Sequence, residues 1–256
     1  MIGLIPLSLV NYVGIPTDFA GYEMEAIELD WFYEGEVQGL ATDGSFLFLT
    51  ACRTFIGSGN ATLYKLHFNG TYIDSVVIQT GNLTHSGGIY VCENLIWIPL
   101  AEHAFTPSES SLIVRYSLDL EYVDSFCNSS ATANDHWGSV FVDQVNQRVF
   151  IGSYDTLYIH QFDMNGSHIE TYQIPDPIPV QDWITVDRFA FGSFSRKRVS
   201  GLSIWDISNP EDQIQEVGSL TIPNTDRGIA YLDGLLYACT GVDDVTLWII
   251  QIDLAQ

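Results

Sequence analysis

Between residues 135 and 174 the chain runs DHWGSVFVDQVNQRVFIGSYDTLYIHQFDMNGSHIETYQI. It contains four short apolar stretches, 138–142, 148–153, 157–162 and 168–174, separated by Asp143-Gln144-Val145-Asn146, Tyr154-Asp155 and Asn165-Gly166. Runs of this length, rich in β-branched and aromatic residues and bounded by turn formers, predict strands. Asn-Gly adds a hairpin, because both central residues of a tight hairpin turn must take φ > 0. The unit is a four-stranded antiparallel meander that cannot bury both of its faces alone.

The same pattern recurs along the chain. First strands begin with GLATD at Gly39, GIYVC at Gly88, GSVFV at Gly138, WITVD at Trp183 and GIAYL at Gly228. Second strands follow at 46–50, 95–100, 148–153, 189–194 and 235–240, and third strands at 63–68, 112–117, 157–162, 202–207 and 247–252. Fourth strands follow only four of these, at 72–79, 121–126, 168–174 and 213–222. A period of this length with four strands per unit predicts an all-β chain, a five-bladed β-propeller formed by a single domain of residues 1–256. The fifth unit lacks its outer strand at the C-terminal end, and residues 24–32 (MEAIELDWF) are available to supply it. Such closure would remove two exposed sheet edges that otherwise invite aggregation.

Composition adds a class and a surface. In 256 residues there are 32 Asp and Glu against nine Lys and Arg, a formal net charge of −23, without long acidic runs. An acidic surface of this kind disfavours nucleic acid and anionic membranes as partners. No run approaches the roughly 20 apolar residues that a membrane span needs. The apolar residues 1–10 (MIGLIPLSLV) lack a basic flank, and we read them as a packed segment rather than a secretion signal. Five Asn-X-Ser/Thr sequons, at Asn60, Asn69, Asn82, Asn128 and Asn165, and a scarcity of lysine favour an extracellular or cell-surface location with glycosylation. The cysteines Cys52, Cys92, Cys127 and Cys239 have no zinc-knuckle spacing and are either disulfide-bonded or buried and free.

Two stretches carry a resemblance. LSIWDISNPEDQIQEVGSLTIPNTDRGIAYLDGLLYAC, 202–239, resembles the LVIVD-type repeat of bacterial and archaeal surface propellers, with Asp206, Asn209 and Pro210 in its D-x-S-N-P segment. THSGGIYVCENLIWIPLAEH (84–103) and NDHWGSVFVD (134–143) are similar to a family of secreted propellers known only as a domain of unknown function. That resemblance implies the fold over most of 39–201 and no activity. The chain departs from it at Gln181-Asp182-Trp183, where a cysteine is expected after the aspartate.

Candidate chemistry follows from the architecture. Residues leading into the first strands converge at one mouth of the central channel: Glu36, Gln38, His85, Asp135, His136, Gln181, Asp182, Asp226 and Arg227. They form the expected ligand site, and a divalent cation in the channel is the cofactor they could hold. In the competing reading His85, His136, Glu36 and Asp226 form a metal-dependent hydrolase or lyase site. The bland alternative is a channel whose polar groups bond only water and backbone. No nucleophile elbow, H-E-x-x-H or phosphate-binding loop is present. Trp97, Trp205 and Trp248 fit blade packing; Trp137 and Trp183 stand near the mouth and could stack a sugar or base, with core packing the favoured reading for them too. Arg196-Lys197-Arg198, the sole basic cluster, could dock on the acidic face of another copy. The expected partners are thus other proteins, copies of the chain, or carbohydrate.

Overall fold

The computed structural model describes residues 23–32, 35–52, 60–78, 81–102, 110–132, 135–196, 199–208, 214–241, 245–252 and 254. Residues 1–10, Lys197 and Arg198 lie outside these. Five antiparallel sheets form a ring, and in the first, third and fourth each strand is hydrogen-bonded to the next in sequence, a meander built from the axis outward. The last blade is completed from the other end of the chain: β1 (Met24–Glu28) pairs antiparallel with β21 (Thr246–Gln251), Met24 opposite Ile250. This strand is shorter than expected. After Leu29, which donates its amide to Val245, the chain turns inward, burying Leu29 and Phe32. Trp31 there donates to the Gly70 carbonyl of the first blade at 2.8 Å, so the closing segment fastens two blades.

The first blade comprises β2 (Glu36–Thr42), β3 (Leu47–Cys52), β4 (Ala61–Leu66) and β5 (Tyr72–Val77). The second blade is built on β8 (Leu95–Glu102), β9 (Ser111–Ser117) and β10 (Tyr122–Asn128). The third is β11 (Trp137–Asp143), β12 (Arg148–Ser153), β13 (Tyr158–Asp163) and β14 (His168–Gln173). The fourth is β15 (Val180–Val186), β16 (Phe189–Arg196), β17 (Val199–Asp206) and β18 (Gln215–Thr221). The fifth joins β19 (Gly228–Leu232) and β20 (Leu235–Thr240) to β21 and β1. Five buried apolar clusters lie one at each blade interface, as the aromatic and branched residues of second and third strands require. Trp97, Trp137, Trp183 and Trp205 are all at most 1% exposed. Trp137 and Trp183 therefore stack no ligand.

The first strand of the second blade differs from expectation: it is split into β6 (Leu83–Ser86) and β7 (Tyr90–Cys92), both paired with β8. The cause is Pro99 in β8. Its carbonyl accepts the Gly87 amide at 3.0 Å, but proline has no N–H to return the bond. The Gly87 carbonyl instead accepts the Thr50 hydroxyl of the first blade, and Gly88 turns to pair in parallel with Ser139 of the third.

Candidate functional site

Inner strands position the candidates through one recurring irregularity. The pairing of first with second strands shifts register at Val37/Gly39, Leu83/His85, Trp137/Ser139 and Val180/Trp183 in the first four blades. A bulge there re-aims the side chains just ahead of the glycines that mark each strand in the sequence. Past the bulges the strands close on the axis backbone to backbone. A Cβ on Gly88 would stand 2.1 Å from the Gln181 carbonyl oxygen, and one on Gly228 would stand 2.7 Å from Leu40 N.

The fourth blade has no glycine at this level, and Asp182 fills the gap. This corrects its assignment to the mouth. The side chain is wholly buried, and Oδ2 accepts the amides of Leu40 at 2.7 Å and Ile229 at 2.9 Å, from the first and fifth blades. Oδ1 lies among the Ile89 and Trp183 amides without a well-aligned hydrogen bond. Burial pushes the carboxyl well above the usual carboxylate range, while the Leu40, Ile229, Trp183 and Ile89 amides pull the other way. The bulge at 180–183 explains the correction, because it turns Asp182 inward and leaves Gln181 facing the mouth.

Above this floor the structure brings the remaining candidates into two groups. Arg227 forms an ion pair with Glu36 and donates to Gln181 Oε1 at 3.3 Å, joining the fifth blade to the first and fourth. Gln38 is buried beneath them. Cys52, opposite Glu36 in the ladder, has its thiol pushed up to about 12 by burial and then by the Glu36 charge, with Gln38 and Arg227 opposing. It stays a thiol at neutral pH and is no ready nucleophile. Across the mouth, His85 Nδ1 and His136 Nε2 lie 3.2 Å apart, linking the second and third blades. Tyr154, 54% exposed, has its ring 5.4 Å from that of His136. Asp226 is half-buried, and no hydrogen bond or ion pair joins it to either group among the described residues.

Asp135 leads to residues the sequence reading missed. The Ser111 hydroxyl bonds both the Asp135 carbonyl at 2.8 Å and the Trp137 amide at 3.0 Å, fixing the segment before β11. Asp135 Oδ2 then meets Nε2 of the buried His160 at 3.0 Å, and His160 Nδ1 meets Thr171 Oγ1 at 2.9 Å. The available signal was a histidine within the apolar run of β13, between Tyr158 and Phe162. Among the described residues no three of His, Cys, Asp and Glu stand together as a metal centre requires. Asn60, Asn69, Asn82, Asn128 and Asn165 are all exposed. All four cysteines are free. Arg196 lies 3.7 Å from Asp176 on the surface. No described helix is long and apolar enough to cross a membrane.

Ring and mouth together define a five-bladed β-propeller with a polar mouth over a closed floor. Residues 15–179 match the family of unknown function DUF6454, and the chain belongs to that family. No curated protein matches it in sequence. Among solved structures it is similar to a gluconolactonase from Xanthomonas campestris, at 13% identity and a TM-score of 0.52, covering 93% of this chain and 91% of that one. A protein of unknown function from Bacteroides caccae is similar at 10% identity and a TM-score of 0.51, covering 80% and 71%. At such identities the likeness is one of fold.

Proposed function

We propose that the chain is an extracellular, glycosylated binding module whose ligand is a small carbohydrate held at the mouth. The observation that carries this reading is the convergence of Glu36, Arg227, Gln181, His85, His136 and Asp135 from all five blades at one end of the ring. Sugar hydroxyls need donors and acceptors in fixed directions, and these side chains offer both. Tyr154 offers an exposed ring for the apolar face of a pyranose, a part that the buried Trp137 and Trp183 cannot play. The floor beneath is closed by backbone and Asp182, so a ligand would rest on the mouth and not pass through it. All five sequon asparagines are exposed, as glycan attachment requires. The metal-dependent reading finds less support, because Arg227 already neutralises Glu36 and Asp226 stands outside the network.

The test is a titration of the full-length protein with a panel of neutral mono- and disaccharides, followed by NMR or calorimetry. Saturable binding that His136→Ala abolishes is expected. Binding by no sugar in the panel would overturn the reading. Intact mass of protein from its native source, before and after enzymatic deglycosylation, reads occupancy of the five asparagines.

A further inference from the structure

His160 is 2% exposed, yet both ring nitrogens are engaged by groups that reach solvent on opposite sides of the third blade. Nε2 faces Asp135, whose side chain is 23% exposed at the mouth. Nδ1 faces the Thr171 hydroxyl on the outer strand β14, and that same hydroxyl lies 2.9 Å from Nε2 of the exposed His168. We propose that His168, Thr171 and His160 form a proton path joining Asp135 at the mouth to solvent at the outer edge of the blade. The proposal goes beyond the binding reading and stands whether or not the mouth takes a sugar.

The hydrogens can be placed in two ways. With Asp135 as a carboxylate, His160 Nε2–H donates to Oδ2, the Thr171 hydroxyl donates to His160 Nδ1, and His168 Nε2–H donates to Thr171 Oγ1. When His168 Nδ1 takes a proton from solvent, each hydrogen can move one bond along. The His168 Nε2 hydrogen passes to Thr171 Oγ1, the threonine hydrogen to His160 Nδ1, and the His160 Nε2 hydrogen to Asp135 Oδ2. Asp135 is then a carboxylic acid, each imidazole keeps one N–H on its opposite nitrogen, and no heavy atom moves. The hydroxyl links the two imidazoles because it donates to one while accepting from the other. For the mouth the consequence is chemical: Asp135 changes from an acceptor only to a group that also donates.

The other groups facing the path do not interrupt it. Tyr158 stacks on His160 with ring centroids 6.3 Å apart, and Trp137 lies 6.3 Å away on another side. His168 also packs on Phe162. At the mouth the chain neighbour of Asp135 is His136, already paired with His85. His168 also meets the His160 ring edge-on, with centroids 6.4 Å apart. A histidine that merely satisfies its core position would pass an effect of residue 135 through that contact with or without the Thr171 hydroxyl, so dependence on the hydroxyl is the discriminating measurement.

Two-bond proton–nitrogen correlation spectra of the full-length, imidazole-labelled protein report the tautomers of His160 and His168. Asp135→Ala is expected to move the nitrogen shifts of both residues, although nothing in the structure joins residue 135 to His168 directly. In Thr171→Val, which keeps the shape and removes the hydroxyl, the same change at residue 135 is expected to move His160 alone. Thr171→Ser restores the response of His168. If Asp135→Ala fails to fold, Asp135→Ser carries the same expectation. The path is overturned if His168 shifts are unchanged by the substitution at 135, or if they respond equally in Thr171→Val.

Discussion

The mouth and the floor of the ring lie a residue or two apart along the same inner strands, yet opposite rules govern them. At the mouth polar side chains from different blades meet in pairs and keep contact with solvent, as Arg227 does with Glu36 and His85 with His136. At the floor, side chains are nearly eliminated. Glycine backbones approach one another so closely that one carboxyl group, that of Asp182, fills the space and takes amides from the first and fifth blades. An exposed polar pair can lose a partner to water cheaply, whereas a buried amide has nothing to turn to. The proposed binding surface therefore lies on the mouth, and the integrity of the ring rests on the floor.

Substitutions should separate the two layers, and the largest effect is expected at the floor. Gly88→Ala drives a methyl into the Gln181 carbonyl and should cost about 3 kcal/mol, the upper end for overpacking, measured as a fall in the urea midpoint. A variant as stable as the parent would show that the collar relaxes easily and that the contrast is overstated.

Comparable in size is Asp182→Ala, which strands the Leu40 and Ile229 amides at about 1–3 kcal/mol each. Asp182→Asn sharpens the same point through pH. Because burial raises the folded carboxyl above its unfolded value of about 3.9, folding takes up a proton between the two. The stabilising contribution is full below about pH 3.9 and is lost as pH rises through the raised folded value, at about 1.4 kcal/mol for each pH unit of that window. Wild type should therefore lose stability relative to Asp182→Asn as pH rises from 4, and parallel curves would contradict the direction.

Effects at the mouth should be smaller. Arg227→Gln breaks an ion pair whose side chains are 28% and 16% exposed and is expected to cost about 1 kcal/mol in chemical denaturation, declining with added salt. His85→Ala should change stability least, by about 0.5 kcal/mol, while removing the sugar binding proposed for the mouth. A loss of stability at His85 comparable to that at Asp182 would erase the distinction between the layers.

Much of the ring was legible because its inner strands announce themselves. Gly39, Gly88, Gly138 and Gly228 recur where backbones must touch, and the apolar runs after them recur with the blade period. The closing strand was legible from arithmetic, since four units had a fourth strand and the fifth did not. Asp182 was misplaced because position in the repeat does not reveal the bulge that turns it inward. The split first strand of the second blade escaped notice because its cause, Pro99, sits on the neighbouring strand. His160 was missed because only residues ahead of the first strands were considered, whereas it reaches Asp135 from a third strand.

The amino-acid pattern by itself determined the blade count, the strand order and the burial of Trp97 and Trp205. These follow from local turn chemistry and from apolar faces that only stacked neighbours can cover. Which polar residues meet was decided by the closed ring alone: Arg227 with Glu36, His85 with His136, and Asp182 with the amides of Leu40 and Ile229. The reason is geometric. These partners lie on different blades, up to 191 residues apart in the case of Glu36 and Arg227, and a shift of a single residue at a bulge changes which way a side chain points.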